Sequence, residues 1–370
     1  LKKVKVIHVS TVHKRYDTRI FEKEVKSSSN FGYDSCLVVA DGHGNEVKDG
    51  IDIFDIGMSP SSRFRRIFRF ANQVYNFLLK FGGDVYHLHD PELITVGLKL
   101  KKAGFKVIFD SHENVSDQIL LKEYIPKYLR SLIARIYSVY ERIASRKLDA
   151  VVAATPGIYE KFESYGCNVH LVRNFPIVEE FSSINKVSSG NVATFIGTIE
   201  RDRGLLEVVE SLKYSRGCYT IKVAGGFSYK EDESIFFSAT KDKSVDYLGW
   251  LDRRGVSQLL SESSVGLVTL HPTITFKDSL PVKLFEYMAA GIPVLASDFP
   301  LWKSIISTYQ CGICVNPLNP KEVARALDFM FDNPNEAKLM GERGKQVVQT
   351  IFNWKKESES LKLLYDDLQR

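Results

Sequence analysis

Long apolar runs are missing from this sequence. No uninterrupted apolar stretch approaches the roughly 18 residues of a membrane span, and Lys2, Lys3, Lys5 and His8 break up the first apolar segment. A secretory leader needs an unbroken apolar core behind its basic start, so the expectation is a soluble or peripheral, cytoplasmic chain. Cysteine is also scarce. The five cysteines, Cys36, Cys167, Cys218, Cys311 and Cys314, are odd in number and scattered, which excludes a disulfide framework. Cys311 and Cys314 form a lone Cys-x-x-Cys with no second pair or nearby histidine, and read as buried thiols in a reducing compartment. Two nucleotide-binding glycine loops are absent as well. Gly42 and Gly44 have the first spacing of Gly-x-Gly-x-x-Gly, but Val47 stands at the third position, and no Gly-x-x-x-x-Gly-Lys-Ser/Thr occurs. Both absences count against a nicotinamide dehydrogenase and a P-loop enzyme.

What is present is the composition of an ordinary globular protein. Of 370 residues, 44% are hydrophobic and 26% charged, enough for two domains that each bury a core. The net charge of +5 is uneven. Residues 1–185 hold 27 Lys and Arg against 22 Asp and Glu, whereas residues 186–370 hold 23 of each. A basic first half beside a neutral second half suggests an anionic partner for the first.

Short β-branched runs alternate with amphipathic stretches. Runs at Val4–Val9, Cys36–Ala40, Val85–His89, Lys106–Asp110 and Ala150–Ala154 in the first half are followed by Val192–Ile196, Thr220–Ala224, Gly266–Leu270 and Pro293–Ser297. Helix-length segments fall between most of them: Thr18–Phe31, Arg63–Phe81, Lys127–Lys147, Leu205–Leu212, Pro281–Ala290 and Pro320–Phe331. This rhythm predicts parallel sheets covered by helices, an α/β protein of two doubly wound Rossmann-like domains facing across a cleft. The Ser-, Asn- and Gly-rich stretch Glu179–Asn191 reads as the linker. The expected domains are 1–180 and 181–353, with a helix at 354–370 packing back onto the first. Ligands in such sheets bind beyond the carboxyl ends of the strands.

Chemistry concentrates in Phe276–Asp298. Pro281 suits a first helical turn, with Ser279 or Leu280 as cap, and Gly291 stops that helix before a buried strand. A helix N-terminus at a strand-end cleft offers free N–H groups to an anion. Lys283 and Glu286 share a face; Glu286 has the chemistry to hold a ribose diol, or the two form a surface pair. A second cluster is FIGTIERDRGLLEVVES, Phe195–Ser211, where Gly197 turns the chain and Arg203 precedes Gly204. Arg203 reads either as a phosphate ligand or as a solvated helix-start arginine. Gly225 and Gly226 follow a strand as a ligand-side or a plain turn. In the first half, YHLHDPELI (Tyr86–Ile94) and Asp110–Asn114 (DSHEN) both sit at strand ends, with His87, His89 and His112 as candidate acids, bases or core hydrogen bonders. The loop Ser10–Glu24 offers His13, Asp17 and Arg19, with Asp17 equally placed to cap a helix.

The pattern Asp278-x7-Glu286, with Pro281-x-Lys283-x-x-Glu286-Tyr287, the following Ala-Gly-x-Pro-Val and CGICVNP at Cys311–Pro317, resembles the acidic motif of family 4 retaining glycosyltransferases with the GT-B fold, of the bacterial surface-polysaccharide type. The resemblance implies that Glu286 holds the donor ribose and Asp278, where the family usually has Glu, the donor sugar. It gives Arg203 a diphosphate role and has Thr198 in place of the family's arginine. It puts His112 near the transferred sugar, so that His112, Asp278, Glu286 and Arg203 form the catalytic set. Gly197, Gly225, Gly226, Leu280, Pro281 and Lys283 join Arg203 and Glu286 around the donor. His13, Asp17, Arg19, His89 and Asp90 fall on the acceptor side. No Asp-x-Asp triplet, the metal–diphosphate clamp of the other large glycosyltransferase fold, occurs in the chain. The expectation is therefore a retaining, metal-independent transferase of hexosyl type. It would need no cofactor and would use a UDP- or GDP-linked sugar as donor. The acceptor would be a lipid-linked saccharide, as in O-antigen or capsule synthesis, and nucleic acid is not expected as a partner. Two alternatives stand: a sugar-nucleotide epimerase of the same fold, and an inactive nucleotide-sugar-binding subunit, motivated by Asp278 and Thr198.

One further feature concerns membranes. Ser62–Lys80 carries Arg63, Arg65, Arg66, Arg69 and Lys80 among aromatic and aliphatic residues and no acid. Lys127–Lys147 carries six basic residues against Glu141 alone. Both lie in the basic half. A basic amphipathic helix lies either against its own core or on an anionic membrane surface, and Arg63, Arg65, Arg66 and Arg69 are the residues expected to meet the inner leaflet.

Overall fold

The structure is a computed structural model that describes residues 3–62, 66–122, 124–182, 184, 190–241 and 244–369. The chain forms two compact units, one of Leu1–Asn174 with Lys355–Arg370 and one of Phe175–Trp354.

The first unit is built on an eight-stranded sheet. Its strands are β1 (Lys5–Val9), β2 (Asp34–Val39), β3 (Glu46–Lys48), β4 (Ile51–Asp55), β5 (Val85–Leu88), β6 (Lys106–Ser111), β7 (Ala150–Ala153) and β8 (Val169–Leu171), in the order β3-β4-β2-β1-β5-β6-β7-β8. All neighbours pair in parallel except β3 with β4. β5 and β7 are buried at every residue, as expected where helices cover both faces of a parallel sheet. The chain leaves β1 toward β2 on one side and returns to β5 on the other, so the strand order reverses between β1 and β5. Ligands of doubly wound sheets bind at such a switch point. The pairing register sets His8 of β1 beside His87 of β5.

The helix Trp354–Leu368 completes this unit. Leu361, Leu364 and Tyr365 are fully buried, and the Tyr365 hydroxyl lies 2.8 Å from His87 Nδ1. The buried Glu357 carboxylate accepts from the Arg173 backbone N–H at 2.7 Å and from its Nη2 at 2.7 Å.

The second unit is a six-stranded, wholly parallel sheet. Its strands are β9 (Val192–Ile196), β10 (Thr220–Ala224), β11 (Val245–Gly249), β12 (Val265–Val268), β13 (Val294–Ser297) and β14 (Gly312–Val315), in the order β11-β10-β9-β12-β13-β14. Read outward from β9, this is the doubly wound dinucleotide-fold order, with its switch point between β9 and β12.

Local elements depart from the sequence reading in four places. The helix expected from Thr18 is a π-helical turn, Ile20–Val25, running into Lys26–Asn30. The described part of the helix expected from Arg63 begins as a π-helical turn, Arg66–Phe70, before Ala71–Phe81. The first residues of the expected linker are packed rather than free: Phe181 and Ile184 are buried in the second unit's core with Phe175. Neither Ser279 nor Leu280 caps the helix Val282–Ala289; Pro281 is its N-cap, and the Ser279 hydroxyl donates instead to Phe276 O at 2.9 Å.

Glu357 is the polar anchor of the C-terminal helix. Glu357→Ala removes a carboxylate bonded to Arg173 and is expected to cost about 1.5–3 kcal/mol, the range for hydrogen bonds to charged groups. An unchanged midpoint in urea unfolding would rule this anchor out.

Candidate active site

Two clusters of polar side chains sit at the strand-order reversals, one in each unit. In the second unit the site is assembled by Tyr287. This buried tyrosine accepts from the Ile196 N–H at 3.0 Å and donates to Thr194 O at 2.9 Å, so it clamps the helix Val282–Ala289 to the end of β9. Gly266 leaves room for the ring, since a Cβ there would lie 2.3 Å from it. The clamp brings Lys283 against the Gly197 turn: Lys283 Nζ would stand 3.5 Å from a Cβ built on Gly197, and it lies 4.3 Å from the centre of the Phe195 ring.

Lys283 Nζ is buried and makes no hydrogen bond among the described residues. Burial, then the neighbouring Arg203 guanidinium, lowers its pKa to about 7, against the opposing pull of Glu286. Arg203 Nε is likewise buried without a hydrogen bond. It lies 3.6 Å from Glu200, and its guanidinium is 5.3 Å from the Phe276 ring. Two cationic groups with unmet donors thus lie side by side, with Glu286 and Glu200 as the neighbouring acids.

The turns around them depend on close backbone approach. Gly204, at φ +69°, follows Arg203, and a Cβ there would fall 1.8 Å from Thr269 O at the end of β12. Gly225, at φ +149°, would place a Cβ 1.8 Å from Gly197 O. Only glycine allows these conformations together with these contacts. Gly226 faces open space. Asp278 is exposed at the end of Ile274–Lys277, and the next residue is held by Trp302 Nε1 donating to Ser279 O at 2.7 Å. Leu280 packs on the core, and Glu286 is half-buried on the same helix as Lys283.

In the first unit, Asp90 ties the end of β5 to the loop after β1. It accepts from Thr11 N and Thr11 Oγ1, from Ser10 Oγ, and from His13 Nδ1 at 2.9 Å. Despite burial, which works against the charge, the Asp90 carboxylate raises the His13 pKa above its ordinary value. His112 Nε2 lies 2.9 Å from Asp110 Oδ2, and its ring is 5.2 Å from that of His13 and 5.6 Å from that of His89. His13 and His112 are 32% and 17% exposed at the side chain, so both can meet a ligand. Beside them a cavity of about 300 Å³ is lined by Thr11, His13, Lys14, Asp41, Ser59 and Arg66, among others.

Arg19 and Asp17 have other work. Arg19 is 4% exposed and donates to both Asp110 oxygens and to Val172 O, so it belongs to the core rather than to an acceptor surface. Asp17 Oδ1 accepts from the backbone N–H of Arg19 and Ile20, which is the capping role.

Behind this cluster lies a buried group absent from the sequence reading except for His87: His8, Glu24, His87 and Tyr365. His8 Nδ1 is 3.0 Å from His89 Nε2, and Glu24 Oε1 is 3.0 Å from Arg19 Nε. Burial, then the Asp110 charge, drives the Glu24 pKa well up. Burial also opposes ionisation of Asp110, but Arg19 and His112 outweigh it and hold that pKa well down. Burial lowers His8, His87 and His89. These shifts favour Arg19 with Asp110 as the ion pair of this core. His8, Glu24, His87 and His89, and separately His89, Asp110 and His112, bring possible metal-ligand atoms within 4.8 Å of one another. Arg19 already supplies the positive charge there and opposes a second cation. The histidine spacing in β1 and β5 was visible in the sequence; that Glu24 and Tyr365 join it depends on tertiary packing.

Comparison with known proteins gives the family and the fold. Residues 29–176 match the family model described as Glycosyltransferase Family 4, and residues 177–347 match that of Glycosyl transferases group 1. The chain belongs to the family 4 glycosyltransferases, enzymes of the two-domain Rossmann-like GT-B fold that use nucleotide-sugar donors. It is 20% identical over 334 residues to an MMP alpha-(1->4)-mannosyltransferase of Mycolicibacterium hassiacum, covering 87% of this chain and 80% of that one. Among solved structures it is similar in fold to sucrose-phosphate synthase from Thermosynechococcus elongatus, with a TM-score of 0.78 and 15% identity over 99% of each chain. It is likewise similar to HepE of Anabaena in complex with UDP, with a TM-score of 0.73 and 12% identity over 98% of this chain and 100% of that one.

The His13–Asp90 pair carries a pH signature. A raised histidine pKa gives stability that is fully present below the unfolded value of about 6.5 and is lost as pH rises through the folded value. His13→Gln is therefore expected to destabilise the protein more at pH 6 than at pH 8.5 in matched urea titrations. An equal loss at both pH values would show that the pair does not carry this signature.

Proposed function

We propose that the chain is a retaining, metal-independent hexosyltransferase that moves a sugar from a UDP- or GDP-linked donor to a lipid-linked saccharide acceptor. It would act at the cytoplasmic face of the inner membrane, in bacterial surface-polysaccharide synthesis of the O-antigen or capsule type. The observation that carries the donor site is the buried, unpartnered Lys283 amine beside Arg203, an arrangement that an anionic diphosphate completes. In this reading the diphosphate lies against Lys283, Arg203 and the glycine turns of Gly197 and Gly225. Glu286 accepts from the ribose hydroxyls, and Asp278 from those of the sugar.

As the bond between the anomeric carbon and the phosphate oxygen breaks, negative charge grows on the diphosphate. Lys283 and Arg203 are cations already fixed in a poorly solvated place, so they stabilise that charge without reorganisation. The acceptor hydroxyl attacks the anomeric carbon from the face the diphosphate leaves, and its proton passes to the leaving phosphate oxygen, which retains the configuration. His112 is assigned to the transferred sugar. The polar and basic lining of the cavity at Thr11, His13 and Arg66 supports its assignment to the saccharide acceptor.

Two outcomes follow. Glu286→Ala should fold normally yet lose most transfer and most protection by nucleotide sugars against thermal unfolding, because a charge-assisted ribose contact is worth about 1.5–3 kcal/mol. Near wild-type transfer by the folded variant would remove the ribose assignment. Retention is checked by the anomeric configuration of the product, and metal independence by activity in chelator.

The second outcome concerns Lys283, whose pKa in the free protein is about 7. A bound diphosphate favours the ammonium and raises this value, so binding takes up a proton above neutrality. Nucleotide affinity should fall between pH 7 and 8.5, with a limiting slope of about tenfold per pH unit, and Lys283→Met should flatten the profile. A wild-type affinity that is flat over this range would contradict the role of Lys283.

A further inference from the structure

The helix Lys127–Ser145 in the first unit is turned inside out. The residues it buries are Ala134, Glu141, Ala144 and Ser145, small or polar. Tyr137 and Tyr140 pack partly inward, but five other large apolar side chains face outward: Tyr128 is 81% exposed, Leu132 54%, Ile136 61%, Val139 58% and Ile143 55%. Spaced four, four, three and four residues apart, these five form one stripe along the helix. Leu121 and Tyr124, also exposed, extend the apolar surface just before it. Contiguous exposed apolar surface of this kind marks an interaction site.

Charge selects the occupant. Arg135, Arg142 and Arg146 are exposed, and by helical geometry they run along one edge of the stripe. Lys127 and Lys147 stand exposed at its ends. The only acid between Lys127 and Lys147 is Glu141, which is buried and paired with Lys161 Nζ at 2.5 Å. A second copy packed stripe to stripe would bring basic edges together with no acid on the helix to answer them. An anionic bilayer matches both features: its acyl boundary takes the apolar stripe and its phosphates take the arginines. The Ser62–Lys80 segment is less suited to this role. Arg66 donates its Nε and Nη2 to the Glu92 carboxylate at 2.7 and 2.9 Å, and Arg63 and Arg65 lie outside the described residues.

We propose that the helix Lys127–Ser145 docks the protein on an anionic phospholipid surface. It would lie in the membrane plane with Tyr128, Leu132, Ile136, Val139 and Ile143 in the interface and Arg135, Arg142 and Arg146 on the headgroups. This names the membrane contact of the proposed transferase, and it rests on that reading for the need to reach a lipid-linked acceptor.

The test is co-sedimentation of the full chain with vesicles of phosphatidylglycerol and phosphatidylcholine, and of phosphatidylcholine alone, at low and high salt. Binding is expected only with the anionic lipid and should fall with salt. Leu132→Ser/Ile136→Ser and Arg135→Glu/Arg142→Glu should each weaken it about tenfold or more, while Arg69→Glu leaves it near wild type. These changes lie on an exposed face, so thermal unfolding of the variants should match wild type. Sedimentation velocity without lipid should show a monomer.

Absence of binding to anionic vesicles, equal binding by the helix variants, or a dimer that Leu132→Ser/Ile136→Ser dissociates would overturn the proposal. Glu286→Ala, measured in parallel, should still bind vesicles. The docking result and the transferase result therefore fail separately.

Discussion

A cationic amine buried without a hydrogen bond is costly, because the charge loses its water and gains nothing in return. The second unit accepts that cost at Lys283, and its surroundings are consistent with that cost being functional. Tyr287 bonds two backbone groups of β9 and so fixes the helix that carries Lys283 and Glu286. The glycines at 204 and 225 allow the chain around Arg203 and Gly197 to approach at distances no side chain would permit. Lys283 and Arg203 repel one another, yet both are held in place by the fold. The fold thus holds two cationic groups together, with Glu286 the acid that pulls on Lys283, and no hydrogen bond reaches Lys283 Nζ among the described residues.

The first unit solves the opposite problem. Its buried polar group would hold several charges if each residue ionised as it does in water. Instead burial and repulsion by Asp110 push the Glu24 pKa up, burial pushes those of His8, His87 and His89 down, and Arg19 lies opposite Asp110. A single ion pair with its hydrogen bonds satisfied is tolerable in a core, whereas an unbalanced one is not. This arrangement supports the ends of β1, β5 and β6, where the buried Asp90 holds His13, and His13 and His112 stay partly exposed. Side chains that rest on a buried, well-packed base keep their geometry.

Much of this was legible in the sequence, for identifiable reasons. Strand–helix alternation reports a doubly wound fold because the periods of buried strands and amphipathic helices differ. The Pro281–Tyr287 segment and Arg203–Gly204 stood out because they resemble the family's motifs. Other features were not legible. Lys283 and Glu286 have the spacing of an exposed helix pair; only the tertiary contact through Tyr287 buries the lysine amine. Arg19 sits in a loop pattern that suggested a ligand surface, yet it reaches inward to Asp110, 91 residues away in sequence. The helix Lys127–Ser145 shows the limit most plainly. Periodicity tells which residues share a face, but not which face turns inward, and here small residues pack inside while the aliphatic ones face out.

In the proposed function the second unit binds a nucleotide diphosphate through the unmet donors at Lys283 and Arg203. The most direct measurement is a crystal structure of the protein with UDP or GDP bound. Phosphate oxygens are expected within hydrogen-bonding distance of Lys283 Nζ and the Arg203 guanidinium, with the ribose hydroxyls on Glu286. A nucleotide bound elsewhere, with Lys283 Nζ still lacking a partner, would contradict that expectation.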